Sequence, residues 1–262
     1  MKNGSIIYSP NIISTIDVKV TMENLVGLDV LRSLQPRYAR KIESTKMTTS
    51  SFTVNLGIDN ADLLTKYRLP CGYALLTSGD DAFPRLYRAF ENDEFALSED
   101  CFYIGLSCPY PEDKVKPVLS LQAMPIPVGN WINLKSTDRV KYIRQKEEKA
   151  DRLIGIVEKY LIPGLKKHIV VKDISTPATF ARYSGSPTGS IYDMAAIPDN
   201  FGANRLSIIT PIHGLLLPKF AHGVFGAMNS GLQAVDVLLG GTVMGGNSRF
   251  SKKMINGNNR AK

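Results

Sequence analysis

Two stretches of this 262-residue chain carry residue types and spacings that could do chemistry. The first is HGVFGAM, in which Gly223, Val224, Phe225 and Gly226 stand where a helix is expected to begin. The first N–H groups of a helix have no partner within it and carry partial positive charge, so they suit an electron-rich oxygen of a cofactor. Gly223, Gly226, Ala227, Ser230 and Gly231 lack the bulk that would hold a flat ligand away. The same pattern also fits a helix that packs tightly on a sheet. The second stretch, ISTPATFARYSGSPTGSIYDM, places Arg182, Tyr183 and Tyr192 around a bend rich in Gly and Pro. There a ligand could lie close to the backbone, or the bend could be a loop closing over a sheet. No catalytic residue stands out, for there is no nucleophile–base constellation. His168, His213 and His222 have neither metal-ligand nor triad spacing.

The elements that must position these residues follow from period and punctuation. Val224, Ala227, Met228, Gly231, Val235, Leu238 and Leu239 recur with a helical period, predicting a helix over 224–239 with one buried face, behind a short strand over 212–217. Thr176-Pro177 is a helix start, with a capping side chain and a proline at the first helical position. Strands are expected at 6–14, 50–58, 72–77, 102–107, 118–124 and 168–174, separated by turns at 78–81, 109–111 and 125–127. A helix and a turn are expected over 16–34, and Pro36 opens a further short helix. A long helix is expected over 137–161, with Val140, Ile143, Leu153, Ile156, Val157, Tyr160 and Leu161 as its apolar stripe and RQKEEKADR as its solvated face. The strands alternate too little with helices for a doubly wound sheet. The fold class is therefore α+β: a mostly antiparallel sheet with helices laid on it.

Composition narrows the function classes. Apolar content of 44% and charged content of 21% are ordinary for a globular protein. Net charge is +8, but Arg249, Lys252, Lys253, Arg260 and Lys262 supply five positive charges in residues 241–262, leaving +3 for the rest. That basic Gly/Asn/Ser tail is expected to be disordered. Basic residues are not interleaved with aromatics, so no nucleic-acid partner is expected. Three cysteines, Cys71, Cys101 and Cys108, are too few and too oddly spaced for a disulfide framework or a zinc site. They read as reduced thiols of a cytoplasmic protein. No signal peptide and no apolar run long enough to span a bilayer are present.

The motifs TPATFARYSGSPTGSIYDM (176–194) and TPIHGLLL…HGVFGAMNSGLQAVDVLL (210–239) resemble the C-terminal half of phytoene desaturase-type flavoenzymes, a family of carotenoid desaturases, carotenoid isomerases and retinol saturases. SSFTVNLGID (50–59) is similar to the strand that opens their substrate domain, and NGSIIYSPNIISTID to the crossover leading into it. The resemblance extends from about Asn3 to Gly240. It implies an FAD-dependent oxidoreductase that moves hydride to or from carbon–carbon bonds of a polyene or isoprenoid. It places the cofactor at Gly223, Val224, Phe225 and Gly226 and the substrate near Arg182, Tyr183 and Tyr192. The fold it implies has a crossover segment at 1–44 and a substrate domain at 45–175. The C-terminal strand–helix portion of a Rossmann-type FAD domain follows at 176–240, with the tail at 241–262. Two departures stand beside it. No GxGxxG element follows a strand here. After Leu217 the family's Ala-Gly-Asp turn is also missing. The expectation is therefore one half of a split or truncated flavoenzyme that pairs with a separate Rossmann-half chain or with itself. The alternative is a non-catalytic isoprenoid-binding or scaffold relative. The polyene class of substrate and the basic tail further imply peripheral contact with a membrane.

Overall fold

The computed structural model describes residues 5–66, 72–108, 117–127, 129–195, 197–200, 204–218 and 223–240. The tail at 241–262 and the turn at 109–111 lie outside them. In chain order, residues 5–48 hold β1 (Ile12–Ile13), a π-helical segment (Val20–Gly27), α1 (Leu28–Leu34) and α2 (Pro36–Ser44). Next come β2 (Ser50–Ile58), α3 (Ala61–Lys66), β3 (Gly72–Thr77), α4 (Ala82–Glu91), β4 (Tyr103–Cys108) and β5 (Val118–Ile126). They are followed by α5 (Gly129–Thr137), α6 (Arg139–Tyr160), β6 (Ile169–Ser175) and α7 (Pro177–Ser184). The last described elements are β7 (Leu215–Leu216) and α8 (Gly223–Leu238). These elements form two compact units, Thr49–Ile191 and Met1–Thr48 with Tyr192–Lys262.

The Thr49–Ile191 unit is built on an antiparallel sheet in the order β3-β4-β5-β2-β6. In β2, Phe52, Val54, Leu56 and Ile58 are fully buried while Thr53, Asn55 and Gly57 are half-buried, the period-2 alternation of a strand with one face in a core. Register Val54↔Leu121 and Leu106↔Leu121 brings the apolar positions of three strands onto that face. Helix α6 covers it with Tyr142, Ala150, Leu153, Ile154, Ile156 and Val157, each aliphatic side chain contributing about 1.5–3 kcal/mol on full burial. Asp138 caps the helix by accepting from the Lys141 N–H. The expected stripe is rotated at its start: Val140 and Ile143 are exposed, and Tyr142 is the anchor. Its ring meets Trp131 edge-on at 5.9 Å, and its hydroxyl pairs with the Thr176 hydroxyl at 2.9 Å. A polar tip with a buried partner outweighs two small aliphatics in setting the phase. Strands β2 and β3 coincide with the expected ranges, whereas β5 runs on through Pro125 to Ile126 where a turn was expected.

The second unit buries Val18, Met22, Leu31, Ala39, Ile42, Met194, Leu206, Leu215 and Leu217 together. Pro36 stands at the first turn of α2, where its missing N–H costs nothing. Strands β1 and β7 pair in parallel, Ile12↔Leu215 and Ile13↔Leu216. Both are shorter than the expected 6–14 and 212–217. Gly214 explains one limit: at φ +76° its ideal Cβ would stand 2.1 Å from the Pro10 carbonyl oxygen, so β1 can approach only a glycine there.

Candidate functional site

Helix α7 starts as the sequence requires, with Pro177 at its first position. Thr176 and Thr179 form a capping box, each side chain meeting the other residue's backbone N–H. The helix stops at Gly185, which is left-handed at φ +73°. The bend after it is stitched to the start of β2. The Ser50 hydroxyl donates to the Gly189 carbonyl at 2.7 Å, and the Ile191 N–H donates to the Thr49 carbonyl at 3.2 Å. The close approach that the sequence offers to a ligand is used by the chain itself. Gly189, at φ +59°, lies so near α7 that a Cβ would stand 2.5 Å from the Pro177 carbonyl oxygen. Ser186 and Ser190 are buried beside it, and the Ser190 hydroxyl has no partner among the described residues.

Arg182 and Tyr183 occupy the exposed last turn of α7, with the guanidinium 5.6 Å from the centroid of the Tyr183 ring. Tyr192 belongs to the other unit, where its N–H donates to the Thr48 hydroxyl at 3.1 Å. Gly223, Val224, Phe225 and Gly226 form the first turn of α8. That turn has no acidic side chain to compete for its N–H groups, which fits the electron-rich edge of an isoalloxazine. Among the described residues no glycine-rich strand–turn–helix offers a comparable place to a pyrophosphate. The helix is also phased differently from expectation. Ser230 and Ala234 face inward, while Met228, Val235 and Leu238 of the expected buried face are exposed.

The sheet adds a surface that the sequence reading missed. Opposite its buried face, Thr53, Asn55, Ser120 and Gln122 form a half-buried polar row, with the Ser120 hydroxyl donating to the Asn55 amide oxygen at 2.7 Å. At one end of this face Tyr73 lies across Gly105, whose ideal Cβ would stand 2.0 Å from the Tyr73 hydroxyl oxygen. Beside it runs an aromatic ladder from β4 along α4. Tyr103 meets Phe83 at 4.9 Å, Phe83 meets Tyr87 at 6.1 Å, and Tyr87 meets Phe90 at 5.6 Å between centroids. Phe83, Tyr87 and Phe90 recur at i, i+4 and i+7 in AFPRLYRAFE, a helical aromatic stripe legible in the sequence. Among the described residues no three His, Cys, Asp or Glu side chains are grouped to hold a metal. No described helix is long and apolar enough to cross a membrane.

No family model matches the chain. A stretch of 63 residues, 24% of the chain, is 36% identical to the chloroplastic prolycopene isomerase of Daucus carota and covers 10% of that protein. The same identity and coverage hold for the chloroplastic prolycopene isomerases 2 and 1 of an Oncidium hybrid cultivar. Part of this chain is similar to carotenoid isomerases. The matched stretch spans about a tenth of those relatives, so the similarity is local.

Proposed function

We propose that the chain is a phytoene desaturase-like, FAD-dependent oxidoreductase component acting on carbon–carbon bonds of a polyene or isoprenoid. The observation that carries this reading is the local identity to prolycopene isomerases, in a chain whose two motifs hold a capped helix and, in turn, a strand and a helix. FAD, when bound, supplies the hydride chemistry. The residues of this chain hold and shield. The first-turn N–H groups at Val224, Phe225 and Gly226 would receive the electron-rich edge of the flavin. The Tyr103–Phe83–Tyr87 ladder, with Phe83 and Tyr87 partly exposed, offers a polyene an apolar, polarisable surface. Arg182 and Tyr183 are the polar residues proposed to meet one end of the substrate. The replacement of the family's turn after Leu217 by Pro218-Lys219-Phe220-Ala221 favours a second reading, a non-catalytic isoprenoid-binding relative.

Separate titrations with prolycopene and with FAD test both readings. The polyene is expected to bind with a shift of its visible absorbance, and that shift should shrink in a Phe83→Ala/Tyr103→Ala variant. The isolated chain is expected to be colourless and to leave FAD fluorescence unquenched, because it lacks the pyrophosphate cradle. Polyene binding that survives without any flavin response, even beside a Rossmann-half partner, assigns the non-catalytic reading. Absence of polyene binding overturns both.

A further inference from the structure

The five-stranded sheet of the Thr49–Ile191 unit has two edge strands, and only one of them is protected. Edge strand β6 carries Lys172 and Asp173, and its pairing with β2 shifts register between Gly57 and Ile58. Charges and a bulge of this kind turn away an incoming strand. Edge strand β3, GYALLT, has neither a charge nor a proline, and its pairing with β4 is regular from Gly72 to Thr77. Among the described residues no strand lies beyond it.

The geometry of β3 defines what it can take. The Ser78 N–H donates to the Phe102 carbonyl at 3.1 Å, so the even-numbered residues of this strand aim their backbone groups at β4. The backbone groups of Leu75 and Thr77 therefore point outward. Tyr73, Leu75 and Thr77 also share the face of the sheet opposite α6, where Tyr73 and Leu75 are 58% and 46% exposed. In the sequence, Lys66 and Arg68 precede the strand, and Asp80 and Asp81 follow it.

We propose that β3 pairs antiparallel with β3 of a second copy across a two-fold axis at Leu75, joining the two five-stranded sheets into one. In that register Leu75 exchanges both of its backbone bonds with Leu75 of the partner subunit. Tyr73 stands across from the partner's Thr77, an aromatic–β-branched pair on the exposed face. An axis at Ala74 would leave Thr77 without a mate. The antiparallel direction lays the basic flank of each copy beside the acidic flank of the other, whereas a parallel one would set like charges together. A bilayer has no backbone groups to offer such an edge. Six paired residues on their own fall short of the ~1,000 Å² of a permanent interface, so the dimer forms and parts with concentration.

The full chain, without polyene or flavin, is examined by hydrogen exchange and by sedimentation velocity from about 1 μM to about 1 mM. The expected result is a reversible dimer, with exchange slowed at Leu75 and Thr77. Leu75→Pro removes an outward N–H, and Leu75→Lys sets like charges across the axis; each should weaken the dimer at least tenfold. An edge strand tolerates a proline whose N–H would face solvent, so the far-UV circular dichroism of the free chain should be unchanged. An equimolar mixture of Leu75→Lys and Leu75→Glu chains should associate again, because only a residue on the axis meets its own copy. A chain that stays monomeric over this range, a dimer that survives both substitutions, or a mixture that fails to associate overturns the proposal. Self-association that persists in Leu75→Lys and disappears in a Phe225→Glu/Met228→Glu variant assigns the contact to α8 and overturns it too. Polyene and flavin binding are read in separate assays, so the dimer and the proposed function stand or fall independently.

Discussion

Replacing Gly189 by Ala tests whether the bend after α7 is closed by the chain itself. Two costs combine at this position. The backbone is at φ +59°, where an L-residue pays roughly 1–2 kcal/mol. The new Cβ would also meet the Pro177 carbonyl oxygen at 2.5 Å, and relieving such an overlap in a packed region costs about 1–3 kcal/mol. Together they amount to about 2–5 kcal/mol, a large share of the ~5–15 kcal/mol by which a domain is stable. Gly185→Ala is the internal control. It stands at φ +73° with no atom within 4 Å of its ideal Cβ, so it carries the backbone cost alone. The assay is urea unfolding followed by fluorescence of Trp131, the single tryptophan of the chain, which packs against Phe52 and Tyr142 in the core of the same unit. The expected result is a lower midpoint for Gly189→Ala than for Gly185→Ala, at an unchanged slope. Equal midpoints would mean that the bend opens away from α7, and the space at Gly189 would revert to a place for a ligand.

Thr176→Val removes a cap and strands the buried Tyr142 hydroxyl, so it should cost about 2–3 kcal/mol in the same assay, with Thr176→Ser restoring most of it. The Tyr38 hydroxyl is buried without a partner among the described residues, and burial raises its pKa well above the ordinary 10.0. The folded state therefore holds its proton more tightly than the unfolded chain does. That contribution is complete below pH 10.0 and is lost as pH rises further, so Tyr38→Phe should flatten the alkaline limb of stability against pH and cost nothing at neutrality. Binding to anionic vesicles should weaken with salt and with removal of residues 241–262, whose five cations are worth ~1 kcal/mol each near the surface; equal binding by the shortened chain would refute a role for the tail.

Where one residue decided one element, the sequence was legible. Thr176-Pro177 announced α7, and the alternation of SSFTVNLGI marked β2 residue for residue. Asp138 was passed over as a cap, yet α6 was found because its period spans six turns. Legibility failed where tertiary contacts set the outcome. Period alone could not say which face of α8 turns inward, because VFGAMNSGLQAV carries no charge and the buried Ser230 and Ala234 lie opposite its larger apolar residues. It also could not say that Gly189 meets Pro177, a contact across a turn. Helix α4 was missed although Phe83, Tyr87 and Phe90 recur at helical spacing, because Pro84 and the preceding Ser-Gly-Asp-Asp turn draw the eye to a loop. The polar face of the sheet left no signal of its own, because the same alternation marks any antiparallel strand with one solvated face.

The two ends of the α8 problem can be joined by linkage. If the first turn of α8 holds flavin and its exposed stripe of Phe225, Met228, Leu232 and Val235 docks the Rossmann-half chain expected of a split enzyme, one helix serves both ligands, and each must change the affinity of the other by the same factor. A partner at a hundred times its Kd stabilises the unit by about 2.7 kcal/mol, enough to hold the first turn in a single geometry. Flavin should then bind the complex more tightly than the free chain, and the partner should bind more tightly in the presence of flavin by an equal ratio. Gly226→Leu separates the two effects. Gly226 is not one of the four stripe residues, so docking without flavin should persist while both flavin binding and the coupling disappear. Coupling that survives in Gly226→Leu would show that flavin reaches the complex through the partner alone, and α8 would then be a docking helix and no part of the cofactor seat.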